Sequence, residues 1–130
     1  MTLRLLCLLN GSMRIVRKDD LYIAEGNTTQ GAAGLSLTWL QGPATNDELD
    51  VGFVRVDAGA QTPVHIHLKG QVIVTVAGSG FVETAAGERI ETTVGDVVIC
   101  PAGEEHVHGS AGDSEWAHLT ISTGKHDVPR

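Results

Sequence analysis

No apolar run in this chain approaches the roughly 20 residues that a membrane-spanning helix needs, and the mean hydropathy is near zero. The protein is not expected to cross a bilayer. Basic residues are also scarce: 9 Lys and Arg stand against 16 Asp and Glu, for a net charge of −7. No Lys/Arg cluster could neutralise a row of phosphates, so nucleic acid is not an expected partner. Cysteine is limited to Cys7 and Cys100, too few for a disulfide framework, one near the start and one in an apolar run before Pro101. That usage fits a reducing cytoplasm. The first residues, Met1 to Ser12, carry one basic residue and a short apolar stretch, but they lack a full hydrophobic region and a small-residue cleavage site, so a secretory signal is not expected.

Helical patterning is missing as well. No stretch of a dozen residues carries apolar positions at i, i+3, i+4 and i+7, whereas 16 glycines punctuate short β-like runs. The chain reads as all-β, and 130 residues suit one domain with one core. Strands are expected over Met13–Arg17, Leu35–Leu40, Leu49–Asp57, Val64–Leu68, Gln71–Ala77, Gly80–Thr84, Arg89–Thr92, Asp96–Cys100, His106–Gly109 and Trp116–Ser122. Many short strands with turn signals between them argue for a sandwich or a jelly-roll barrel. Gly26–Gly34 and Gln41–Glu48 read as loops. Residues 1–12 read as an N-terminal extension that could serve as an interface strand, and 13–130 as the single domain. Leu3, Leu5, Leu6, Leu8 and Leu9 add an apolar edge to a barrel that already has enough strands, which predicts a homodimer or larger homo-oligomer.

Four of the six histidines form two pairs, His65-Ile-His67 and His106-Val-His108. On a strand, residues two apart point to one face. Imidazole is the commonest protein ligand for Zn, Mn, Fe, Ni and Cu, so two such pairs turned to one interior could build a metal site. Around the pairs runs a frame of turn residues: Gly59, His65, His67, Gln71 and Gly78, then Gly95, Pro101, Gly103, His106 and Ser110. The glycines stand where strands reverse, Pro101 fixes φ before the turn that delivers His106, and Gln71 opens a strand just after the Lys69-Gly70 turn.

These two blocks resemble the two motifs of the cupin superfamily. The family has Glu where this chain has Gln71, and Asn where it has Ser110; the Gly, Pro and His positions agree. The resemblance implies a cupin jelly-roll β-barrel, a double-stranded β-helix, whose single divalent ion is held by His65, His67, Gln71 and His106. With Gln71 neutral, the donor set would leave the full +2 at the centre and favour an anionic exogenous ligand. Residues 65–80 and 106–109, with Ala117-His-Leu-Thr-Ile121, further resemble small bacterial cupins that act as manganese-dependent hydroxynitrile lyases. That likeness implies manganese, with Fe, Zn or Ni as alternatives. It also implies cleavage or formation of cyanohydrins, with a histidine taking the hydroxyl proton: His118 first, His108 second. The substrate would be a small molecule. A metal-dependent dioxygenase, a non-catalytic small-ligand binding or sensor domain, and a sugar-acid isomerase are the competing functions. Trp39, Phe53, Phe81 and Trp116 read as barrel core, and Lys69 and His126 as solvated.

Overall fold

In the computed structural model, residues 6–8, 13–23, 28–30, 33–42, 48–123 and 128–129 are described. The strands are β1 (Leu6–Leu8), β2 (Met13–Ile15), β3 (Thr28–Gln30), β4 (Leu35–Gln41), β5 (Leu49–Val56), β6 (His65–Ile66), β7 (Gln71–Gly78), β8 (Gly80–Thr84), β9 (Arg89–Thr92), β10 (Val97–Cys100), β11 (His106–Ser110), β12 (Trp116–Thr123) and β13 (Val128–Pro129). The one helical element among the described residues is a 3-10 turn, Lys18–Ile23. The fold is a jelly roll: a six-stranded sheet in the order β10-β7-β12-β5-β4-β3 faces a five-stranded sheet in the order β13-β6-β11-β8-β9.

From β6 onward the chain crosses between the sheets at almost every turn. Those crossings lay β6 directly against β11, with His65 opposite His106, although 41 residues separate them in sequence. Two glycines make the close approaches possible. Gly70 takes φ +87° between β6 and β7, and a side chain there would also press on the Cys100 carbonyl oxygen at 2.8 Å. Gly80 has ordinary backbone angles, but a Cβ would lie 2.1 Å from the Trp116 ring, so only a glycine lets β8 pass over that indole.

Two apolar clusters hold the sheets in place. Leu35, Val54, Val56, Ile73, Cys100 and Trp116 fill the barrel, with Val82 of the five-stranded sheet packed against them. Phe53, Ala117 and Leu21 form a second cluster on the outer face of the six-stranded sheet, joined by Val16, Leu40 and Leu119. There the Tyr22 ring meets Phe53 edge-on at 5.1 Å, and the Arg55 guanidinium lies 5.0 Å above Tyr22. The 3-10 turn is thereby clamped to the outside of the barrel.

The ten expected strands are all present, with shifts of one or two residues at their ends; the Val64–Leu68 run shortens to His65–Ile66 because the chain turns at Leu68. Within the expected Gly26–Gly34 loop, Thr28–Gln30 instead pairs with β4 as an edge strand; three short polar residues carry too little pattern to signal one. Most of the Gln41–Glu48 loop and His126 lie outside the described residues. Of the N-terminal extension, Leu6–Leu8 forms a hairpin with Met13–Ile15; the side chains proposed for an interface lie outside the described residues. No helix of the described chain is long and apolar enough to cross a membrane.

Candidate metal centre

Alternation along β11 turns His106 and His108 inward, His67 follows directly on β6, and the pairing of β6 with β11 brings the pairs together. His65, His67, His106 and His108 are all buried, and each offers a ring nitrogen within 4.8 Å of those of the other three. The rings of His65 and His106 are 4.5 Å apart, and those of His65 and His108 are 4.9 Å apart. Backbone carbonyls orient two of the four. His65 Nδ1 donates to Pro63 O at 2.8 Å and His106 Nδ1 to Glu104 O at 2.9 Å, which fixes the tautomer that keeps a lone pair on Nε2 for a cation.

Gln71, the first residue of β7, is 6% exposed. Its amide nitrogen donates to Thr120 Oγ1 of β12, whereas its Oε1 is buried without a hydrogen bond. Both ring nitrogens of His108 and both of His118 are likewise buried without hydrogen-bond partners. Each such atom costs about 1–3 kcal/mol relative to water, so a cluster of them in one interior is the signature of a site built for a ligand. A carbonyl oxygen and several imidazole nitrogens are donors that first-row divalent metals accept, so the residues fit the ion the motifs imply.

His118 is fully buried. Its ring lies 4.0 Å from the Trp116 ring and 5.6 Å from His108. The indole beneath it is itself fixed, donating from Nε1 to Thr75 Oγ1 at 3.0 Å. Trp116 and His118 therefore share the inner face, as the alternation predicts, although β7 carries an extra residue opposite the Ala117/His118 step. Burial lowers the His118 pKa to about 3, and burial followed by the neighbouring His118 holds His108 well below the usual imidazole value. Both rings are thus neutral at ordinary pH.

The expected residues His65, His67 and His106 come together, and His108 joins their group rather than standing apart from it. The HxH spacing was the signal for that fourth imidazole. Sequence reasoning missed Thr120, which holds the Gln71 amide, and Asp50, a 1% exposed carboxylate on the inner face of β5 that accepts a hydrogen bond from Ser122 at 2.8 Å. Asp50 sits in a run that reads as a strand, and nothing in its neighbours marks it. Ser110, where the motif has Asn, accepts a hydrogen bond from Gly59 N at 2.7 Å and so ties the end of the second block to the start of the first. Of the aromatics expected in the barrel core, Trp116 is there; Phe53 is buried in the outer cluster instead, Phe81 is buried outside both clusters with the Arg89 guanidinium 3.8 Å above its ring, and Trp39 is only partly buried, because strand alternation turns Phe53 and Phe81 away from the barrel interior that Val54 and Val82 face. Lys69 is exposed as expected.

The family model for the cupin domain matches residues 52–122. The chain belongs to the cupin family. Among solved structures, this cupin is similar to a cupin-like protein of Thermotoga maritima, with a TM-score of 0.69, 26% identity and coverage of 82% of this chain and 86% of that one. It also resembles the DMSP lyase DddQ of Ruegeria pomeroyi, at TM-score 0.66, 22% identity and coverage of 78% and 56%. Oxalate decarboxylase of Bacillus subtilis gives TM-score 0.66, 19% identity and coverage of 85% of this chain but 31% of the decarboxylase. The last two likenesses are to the fold. No curated protein matches this cupin.

Proposed function

We propose that this cupin is a metal-dependent enzyme acting on a small oxygenated molecule, and that its most concrete activity is the cleavage or formation of cyanohydrins. The observation that carries the reading is the buried histidine group, together with the unbonded Gln71 Oε1 and His118 ring. His65, His67, His106 and Gln71 would hold the ion, manganese being the metal that the motif resemblance suggests, with His108 as a further donor at the same centre. A bound divalent cation would supply Lewis acidity to an alcohol or carbonyl oxygen.

The rest of the chemistry falls to this chain's side chains. His118, neutral and without a hydrogen-bond partner, accepts the cyanohydrin hydroxyl proton on a ring nitrogen as the carbon–carbon bond to cyanide breaks. The departing cyanide then takes that proton and leaves as hydrogen cyanide, which returns His118 to its neutral form. Trp116 holds the imidazole ring in place, and Thr120 holds the Gln71 amide so that its oxygen keeps one orientation. Because the proposed ligands carry no carboxylate, the centre favours an anionic ligand such as cyanide or an ionised hydroxyl.

The carboxylate-free donor set also suits a second reading, a metal-dependent dioxygenase. Metal analysis of the purified protein, followed by turnover of cyanohydrins with and without oxygen, separates the two: the lyase runs unchanged under anaerobic conditions, and the dioxygenase stops. His67→Ala and His106→Ala should purify with little metal, since removing one imidazole opens the coordination shell. Full occupancy in both variants would reject the centre, and a fully loaded protein that turns over neither substrate class would leave a small-ligand binding role.

A further inference from the structure

Two buried hydroxyls, those of Thr75 on β7 and Thr92 on β9, take no part in the proposed centre, although the residues are only 2% and 3% exposed. Thr75 is the cross-strand partner of His118, yet its hydroxyl makes no hydrogen bond to the imidazole, both of whose nitrogens stay unbonded. It accepts the Trp116 Nε1 proton at 3.0 Å and meets Thr92 Oγ1 at 3.1 Å. A hydroxyl pair thus joins β7 of one sheet to β9 of the other. The Thr75 backbone is held at the same point: its N–H donates to Asp96 O at 3.2 Å, and its carbonyl accepts from Gly95 N at 3.0 Å, so the turn after β9 closes on it. Within that turn, Thr93 N donates to Asp96 Oδ2 at 2.9 Å. Thr92 in turn lies opposite Gly80, the glycine that lets β8 pass over the indole.

We propose that Thr75 and Thr92 are positioning residues for His118, acting through the Trp116 indole; this rests on the reading of His118 as the base. An imidazole without hydrogen-bond partners has only packing to hold its plane, and the ring it packs on is the indole, with centroids 4.0 Å apart and planes tilted by 32°. Apolar contact alone is non-directional, whereas the indole N–H bond fixes one edge of the ring. Threonine suits the task. Its β-branched side chain has few χ1 rotamers on a strand, and its hydroxyl can accept the indole proton while donating its own. Among the described residues, Thr92 Oγ1 is the other partner of that hydroxyl, so the second threonine sets the direction of the first. Support therefore runs from Thr92 through Thr75 and Trp116 to His118, and it leaves both imidazole nitrogens open to a substrate.

Thr75→Val keeps the β-branched shape and removes the hydroxyl. It should lower kcat for cyanohydrin cleavage by about 10- to 100-fold, the range for loss of a supporting hydrogen bond, with KM and metal content unchanged. Thr75→Ser should restore most of that rate, and Thr92→Val should show a smaller loss of the same kind. Adding Thr75→Val to Trp116→Phe should slow the enzyme no further than Trp116→Phe alone, because the indole proton that the hydroxyl holds is already gone. In the zinc-loaded protein, which is diamagnetic, the His118 ring signals in nitrogen-15 NMR should move in Thr75→Val and return in Thr75→Ser. A wild-type kcat in Thr75→Val, a Thr75→Ser variant as slow as Thr75→Val, or additive losses in the double variant would each overturn the proposal. If the wild type cleaves no cyanohydrin, the proposed reaction fails on its own and the His118 signals decide: unmoved in Thr75→Val, they reject the positioning role; moved there and restored by serine, they uphold it.

Discussion

Strand β12 serves two interiors that obey different rules. Toward the barrel it presents Trp116, His118 and Thr120, and toward the outer cluster Ala117, Leu119 and Ile121. Ala117 and His118 are equally buried, at 1% and 0% exposure, yet their burial means different things. On the outer face apolar atoms need only contact, and Phe53, Leu21 and Leu119 provide it. On the inner face His118 gives up water without receiving a hydrogen bond in return. The outer face therefore contributes stability, and the inner one holds in reserve polar atoms that a ligand would satisfy.

The contrast is sharpest in a pair of truncations. Phe53→Ala, on the outer face, should cost about 3–5 kcal/mol of stability, read from the urea midpoint, while metal content per folded chain stays as in the wild type. His118→Ala, on the inner face, should keep both fold and metal and lose roughly 10²–10⁴-fold in the rate of a proton-transfer step. If the His118 variant instead loses its metal, that residue is a ligand; if it turns over at the wild-type rate, its acid/base role is wrong. The division between the faces would itself fail if Phe53→Ala emptied the metal site.

Gly80→Ala probes the seam between the sheets. A methyl group 2.1 Å from the Trp116 ring forces the strand or the indole to move, and overpacking of this kind costs about 1–3 kcal/mol. Since His118 rests on that indole, activity should fall together with stability, measured by thermal melting and turnover on one preparation.

Cys100 offers a smaller effect, on the inner side of β10. Burial, and after it the charge on Glu104, raises its thiol from 9.0 to about 11. Between those values the unfolded chain ionises and the folded one does not, so the contribution of this thiol to folding stability should be complete below pH 9 and decline as pH rises toward 11. Urea midpoints at pH 8 and pH 10.5 test this: wild type should fall more steeply than Cys100→Ala. A disulfide reagent should also label the native thiol slowly at neutral pH. The smallest change is expected from Arg55→Ala, outside the barrel. It removes the cation above Tyr22 and the exposed pair with Glu115, together worth about 0.5–1 kcal/mol, and should leave metal binding unaltered.

Much of this architecture is legible in the sequence. Alternating apolar runs mark ten strands, and glycines at 59, 70, 78, 95 and 103 mark their reversals, because a turn that requires positive φ leaves a residue-level trace. The two HxH pairs mark the buried histidine group that could hold a metal ion for a similar reason: a period of two fixes a common face before any tertiary contact exists. Where short polar segments pair only because a neighbour offers an edge, as Thr28–Gln30 does with β4, no such trace is available.

What tertiary structure alone decided is which distant strands meet. Pairing of β6 with β11 sets His65 opposite His106 and gathers His108 into the histidine group, and pairing of β12 with β7 and β5 gives Gln71 its Thr120 and Asp50 its Ser122. It also decided that a second apolar face would lie outside the barrel, covered around Phe53 by Leu21 and Tyr22 and, among the described residues, exposed around Ile99. Local alternation says only that a strand has two faces. Which one turns toward the other sheet, and what then covers its reverse, depends on contacts between residues far apart in the chain, and these are set by the fold's crossings rather than by any local run of residues.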